Sequence, residues 1–230
     1  MRSVLKPKDP NLIVDEVSRM PFEELASIAL SATKLENFSV VEMILNANIN
    51  HKVKSFILNE CFVLACKHGD YRLLDKFVAY GSDVNVYDGK PLIMACAYGN
   101  IETVRVLLRL GADVHKRDDM AFEQACSNCQ ADVMRELILH GVKYNKKWDI
   151  LLRNACRMDS GVVLVLLQNG ADVNKGHPIM EAIRHNMLYI TKLLIDNGAI
   201  VNKRMVKVAK SQGFYRIAQL LELEMFDQQW

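Results

Sequence analysis

The sequence is poor in several things, and each shortage excludes something. Only 5 of the 230 residues are proline and 11 glycine, while half are hydrophobic; low-complexity and disordered compositions are thereby excluded. Charge of one sign is also scarce: a formal net charge of +2 gives no global argument for nucleic acid or an anionic membrane. No long apolar run is present, since the longest aliphatic stretch, Val162 to Leu167, is far too short to span a bilayer. The opening MRSVLKPKDPNLIVDE lacks the continuous apolar core of a secretory signal, so an intracellular, cytoplasmic chain is expected. In that compartment the 6 cysteines are expected to be free thiols. Chemistry-bearing motifs are missing too. There is no phosphate-cradling glycine loop, no H-E-x-x-H and no nucleophile elbow, and the 6 histidines are scattered. Neither catalytic residues nor a metal or cofactor is expected.

What is present is a period. Cys66, Cys96, Cys126 and Cys156 stand thirty residues apart, each after an alanine: Ala65, Ala95, Ala125 and Ala155. Ala29, Ala182 and Ala209 extend the series. A second anchor keeps step with it, in GSDVN at Gly81, GADVH at Gly111, GVKYN at Gly141, GADVN at Gly170 and GAIVN at Gly198. Between the anchors apolar residues keep helical spacing, as in Ile101, Val104, Leu107 and Leu108, and the glycine that follows suits the left-handed end of a helix. Each unit reads as helix, turn, helix, loop, the mark of a solenoid in which each repeat buries its apolar face against its neighbours. The anchor-to-glycine distance holds at fifteen or sixteen residues, whereas the loop leading to the next anchor shrinks from fifteen residues to seven. Length variation therefore belongs to the loops.

GKPLIMACAYGNIETVRVLLRLGADV, Gly89 to Val114, resembles the ankyrin repeat in its Pro-Leu start, small-residue pair, glycine turn, Val-x-x-Leu-Leu helix and GADV ending. The likeness covers residues 21–230 as about seven units, approximately 21–54, 55–88, 89–118, 119–148, 149–176, 177–203 and 204–230, with 1–20 as a leader or cap. It implies an all-α solenoid of stacked helix-turn-helix units. The last loops are too short for the family's β-hairpin finger, and such stunted units look like the ankyrin proteins encoded by large DNA viruses of amoebae, which would place the chain in a host cell. The end of the last unit, with Glu222, Glu224 and Asp227 in place of another GADVN, suits a terminal cap.

Several residues have a bland and a sharp reading. Equivalent positions of stacked helices lie roughly 8 to 10 Å apart, beyond the reach of a disulfide, so the cysteine ladder is read as close packing. Cys126 and Cys129 form a lone C-x-x-C; Cys129 falls where Gly69 and Gly99 make the turn, and is read as a surface thiol. Asp83, Asp113 and Asp172 are read as loop-bonding carboxylates. Lys116, Arg117, Lys146, Lys147, Lys175, Lys203 and Arg204 form a basic stripe at the loop tips, diluted by Asp88, Asp118, Asp119 and Asp149.

The resemblance implies protein recognition on a concave face. Carried over to this chain, the recognising positions follow each Ala-small pair: Lys67 and His68, Ala97 and Tyr98, Ser127 and Asn128, Arg157 and Met158, Arg184 and His185. Tyr87 and Trp148 in the loops join them, with packing between repeats as the other reading of Trp148. The expected function is non-enzymatic binding of a protein partner, the chain being a monomer by default. Two alternatives stay open. MPFEELASIAL from Met20 has a faint likeness to an F-box, so residues 1–35 could recruit a ubiquitin ligase, although the segment is read as the first helix of the array. Binding of nucleic acid along the basic edge is the other.

Overall fold

A computed structural model describes residues 17–227. The leader residues 1–16 and the last three residues of the cap lie outside the described part. Among the described residues there is no strand, and after a helical turn at 17–19 fourteen helices follow in seven pairs. The first three pairs are α1 (Phe22–Lys34) with α2 (Phe38–Asn46), α3 (His51–His68) with α4 (Tyr71–Ala79), and α5 (Val86–Ala97) with α6 (Ile101–Arg109). The other four are α7 (Lys116–Ser127) with α8 (Ala131–Leu139), α9 (Lys147–Ala155) with α10 (Ser160–Gln168), α11 (Pro178–Arg184) with α12 (Leu188–Asp196), and α13 (Lys203–Ser211) with α14 (Tyr215–Asp227).

By contact the chain divides into two compact units, one ending at Arg117 and one beginning at Asp118. Inside the first unit α1 packs on α3, α3 on α5, and α4 on α6. Inside the second, α9 packs on α11, α11 on α13, α8 on α10, α10 on α12, and α12 on α14. First helices thus contact first helices and second helices contact second helices. The Ala-Cys pairs are packed away from solvent: Ala65, Cys66, Ala95, Cys96, Ala125, Cys126, Ala155 and Cys156 are all buried, and all six thiols are free. Larger side chains fill the space between the two layers, as where the Phe62 ring of α3 and the Phe77 ring of α4 meet edge-on at 6.0 Å.

The period has a backbone cause. Each first helix except α9 closes with a residue in the left-handed region, namely Glu36, Gly69, Gly99, Cys129, Asn186 and Gly213. The next N–H turns back to the anchor carbonyl, as from Asp70 to Ala65 and from Asn100 to Ala95, both at 3.0 Å. This is the Schellman closure, and it corrects one register. In the first repeat Asn37 N–H bonds to the carbonyl of Ala32, so Ala32 and the buried Thr33, not Ala29, occupy the anchor positions. In the sequence Ala26, Ala29 and Ala32 compete for the anchor position, and the turn is made by Glu36 in place of a glycine that would mark it.

The loops are short turns, as their lengths require. Tyr87, Asp88 and Gly89 have φ of 52°, 57° and 80°, and Arg117, Asp118 and Asp119 have 52°, 58° and 62°. Each triad is a left-handed turn at the start of the following helix, in place of a hairpin. Gly89 is needed at its triad, because a Cβ there would lie 2.6 Å from Cβ of Lys116. Asp83, Asp113 and Asp172 accept from the N–H two residues on, at 2.8, 2.9 and 2.9 Å, as expected for loop-bonding carboxylates. Asn85 then ties one loop to the next: its Nδ2 donates to the Gly111 carbonyl and its Oδ1 accepts from Asp113 N–H. Asn174 does the same with Gly198 and Ile200. The helix α3, at 18 residues, is longer than the short first helix the repeats suggest. No left-handed triad precedes it, and Asn50 caps it directly by accepting from Lys52 N–H at 2.8 Å.

Candidate functional site

The residues after each anchor pair emerge at the C-terminal ends of the first helices, where the chain must leave the packed layer. In the first unit His68 is exposed and Lys67 half-buried, while Tyr98 keeps 53 % of its surface in solvent. The Lys67 ammonium stands 5.1 Å over the Tyr98 ring, so this pair forms one amphipathic knob. Its backbone is held from the next repeat, since Asn100 Nδ2 donates to the carbonyls of Cys66 and Lys67 at 3.0 and 2.8 Å. Tyr87 is exposed at a loop tip, with the Lys90 ammonium 5.4 Å from its ring.

In the second unit Ser127, Asn128, Arg157, Met158, Arg184 and His185 are exposed. They are not one cluster. Asn128 folds back to the Gln124 carbonyl at 2.8 Å, Met158 borders a hollow with Leu188 and Tyr189 at the start of the second-helix layer, and Arg184 faces the first-helix side, bonded to Glu181 at 3.0 Å.

Trp148 does not belong with them. It lies inside α9, not in a loop, and only 1 % of it is exposed. Its ring stacks on Phe122 at 4.5 Å with 9° between planes, and Tyr144 meets it edge-on. Burying so large an apolar ring in the stack is worth more than leaving it in water, and the packing reading replaces the contact reading.

The basic stripe is largely neutralised at home. Lys116 and Arg117 both lie 3.6 Å from Asp88, Lys147 bonds Asp118 and Glu123 at 2.6 and 2.7 Å, and Lys175 bonds Asp149 at 2.7 Å. Asp149 is a buried residue of α9, not a loop residue, at 3 % exposure. Burial alone would raise its pKa, but Lys175, the Asp172 N–H and the Tyr144 hydroxyl outweigh that and hold it below the usual carboxylate range. Among the described residues Lys146, Lys203 and Arg204 have no ion pair.

Thiol chemistry is suppressed by the same packing. Burial pushes Cys61 up to about 11 and Cys126 and Cys156 up to about 12, and it raises Cys66 and Cys96 as well. Cys129, half-buried at the turn as its register implies, is raised chiefly by desolvation, with Asp159 adding to it. No group of His, Cys, Asp and Glu among the described residues is placed to hold a metal ion, and none of the described helices is long and apolar enough to cross a membrane.

Sequence reasoning overlooked a second set of varied positions, five and two residues before each anchor. There Ile150 and Arg153 stand before Ala155, His177 and Met180 before Ala182, and Arg204 and Lys207 before Ala209. The signal was available: these positions change chemistry from unit to unit while the anchors do not.

A family model described as ankyrin repeats (3 copies) matches residues 27–118 and 62–148. Among solved structures, the human ASB11 ankyrin repeat domain is similar with 25 % identity over 90 % of this chain and 98 % of that one, at a TM-score of 0.62. An ankyrin repeat domain from Acinetobacter baumannii shares 22 % identity over 71 % of this chain and 96 % of its own, at 0.59. The ankyrin repeat domain of Bcl-3, a member of the IkappaB protein family, shares 21 % over 71 % and 85 %, at 0.55. The last two likenesses concern the fold alone. None of the curated proteins compared matches the sequence.

Proposed function

Because the chain belongs to the ankyrin-repeat family, a fold suited to protein–protein interaction, we propose that it is a non-enzymatic module that binds a protein partner through the exposed ends of its first helices. The observation that carries this is the contrast within each repeat. The anchor pairs, Ala-Cys in four repeats and Ala182-Ile183 in a fifth, are buried, while the residues that follow them, Lys67 and His68, Tyr98, Ser127 and Asn128, Arg157 and Met158, Arg184 and His185, reach solvent with chemistry that changes from repeat to repeat. Aromatic and arginine side chains such as Tyr98 and Arg157 are the kind that dominate interface energetics. The test is affinity capture with the full chain against a variant carrying Lys67, Tyr98, Arg157 and Arg184 changed to Ala, at unchanged helical circular dichroism. Partners lost only from the variant support the reading; partners retained equally contradict it.

A second reading, an adaptor to a ubiquitin ligase through residues 1–35, is favoured by one feature. On α1 the apolar side chains of Phe22, Ile28 and, just beyond it, Leu35 are exposed; residues 1–16 of that segment lie outside the described part. Changing the three to Ser and capturing ligase components separates this reading from the first. Against a nucleic-acid track stands the pairing of Lys116, Arg117, Lys147 and Lys175 with carboxylates, and charge reversal at Lys116, Lys146 and Lys147 is expected to leave oligonucleotide binding unchanged.

A further inference from the structure

The first-helix side of the second unit carries two adjoining hollows, of about 340 and 260 Å³, that share Arg153 and Gly176. Together they form a groove running past α9, α11 and α13. Its floor is apolar: Ile150, Met180 and Met205 line it, and Ile150 leaves 65 % of its surface in water. Two methionines give such a floor an adaptable shape. The rim is cationic, with Lys146, Arg153, Lys175, Arg184 and Arg204 against only two carboxylates, Asp149 and Glu181.

Both carboxylates are already engaged. Asp149 is bonded by Lys175, Tyr144 and the Asp172 N–H. Glu181 is bonded by Arg153 at 3.3 Å and Arg184 at 3.0 Å. The surplus positive charge therefore faces the groove, and Lys146 at one end and Arg204 at the other have no ion pair among the described residues.

We propose that this groove docks an extended, acidic segment of a partner protein, with an aliphatic or aromatic residue seated against Ile150 and Met180 and carboxylates paired to Arg204 and Lys146. The inference rests on the protein-binding reading above and names the chemistry of the partner. A carboxylate fits the planar guanidinium fork of Arg204, and complementary charge sets specificity and encounter rate. A nucleic acid fits less well. Stacking platforms for bases are aromatic, whereas the groove's floor is aliphatic and thioether, and the neighbouring loop-tip cation Lys147 is held by Asp118 and Glu123.

The test is selection from a phage-displayed random dodecapeptide library on the full chain, followed by titration of the enriched peptide, fluorescein-labelled, at low and high salt. Two variants are titrated alongside: K146E/R204E, which alters exposed and unpaired cations, and I150S, which alters the exposed floor. The expected result is enrichment of peptides with Asp or Glu within a few residues of a large apolar side chain. Affinity should fall about tenfold or more in K146E/R204E, with a flatter salt dependence. In I150S it should fall several-fold with the salt dependence kept. Enriched peptides without acidic residues, or equal affinity for wild type and K146E/R204E, would overturn the proposal. So would a labelled single-stranded oligonucleotide, or self-association in sedimentation, whose binding the K146E/R204E change abolishes, since the groove would then belong to phosphates or to a second copy. If captured partners depend on Lys67, Tyr98, Arg157 and Arg184 while peptides ignore the groove, only this inference fails. If partners ignore both sets, the recognition reading itself fails with it.

Discussion

Cys129 holds φ of 60° at a turn where five other repeats also place a left-handed residue, three of them glycine: Gly69, Gly99 and Gly213. A non-glycine residue in the left-handed region costs roughly 1–2 kcal/mol, partly offset because glycine loses more freedom on folding. Cys129→Gly is therefore expected to raise stability by about 0.5–1 kcal/mol, read as a higher urea midpoint; a lower midpoint would mean that the thiol packs better than it strains. Asp149 is the other residue with a measurable signature. Its carboxyl is held below the ordinary range in the folded chain, so its contribution is fully present above the unfolded value of about 3.9 and is lost as pH falls through the lower folded value. Asp149→Asn should lower stability at neutral pH and flatten the loss of stability below about pH 4. Urea titrations of both proteins at neutral and acid pH check this, and parallel acid limbs would remove the role given to the ion pair with Lys175.

At the scale of elements, the joints between repeats are polar and specific. Asn100, at the start of α6, closes the end of α3 by donating to two of its carbonyls, which otherwise lack helical partners. Asn100→Ala is expected to cost about 1–2 kcal/mol and to speed hydrogen exchange at the end of α3 more than within α6. Uniform acceleration would instead indicate a general loss of stability. The left-handed triad before the helical part of α5 makes a second demand. Gly89→Ala would force a Cβ to within 2.6 Å of the Lys116 Cβ at φ +80°, and a loss of about 2 kcal/mol or more is expected. These joints explain how loops too short for a hairpin still register neighbouring repeats: paired asparagines and aspartates do the bonding that strands would have done.

Over the whole molecule, the cysteine ladder predicts a thiol census. Five of the six cysteines are buried and their thiols are shifted upward by desolvation. Ellman's reagent at mildly alkaline pH is therefore expected to find one accessible thiol, Cys129, in the native chain and all six in denaturant; several fast thiols in the native chain would contradict the packing account. The family, the seven helix pairs, the glycine stops and the turn position of Cys129 were all legible from the residues. A stacked solenoid imposes the same tight contact on every unit, so one small pair and one left-handed closure must recur at a fixed interval. The first repeat offers three alanines, at 26, 29 and 32, and no glycine at its turn, so the backbone closure alone selects Ala32, and the role of Trp148 is decided only by its ring lying on Phe122. Ile150, Arg153, Met180 and Arg204 do recur at fixed offsets from the anchors, but their varied chemistry does not say that they line one groove. Which of them face one another depends on helix rotation and on where short loops deliver each helix, and these are properties of the tertiary structure alone.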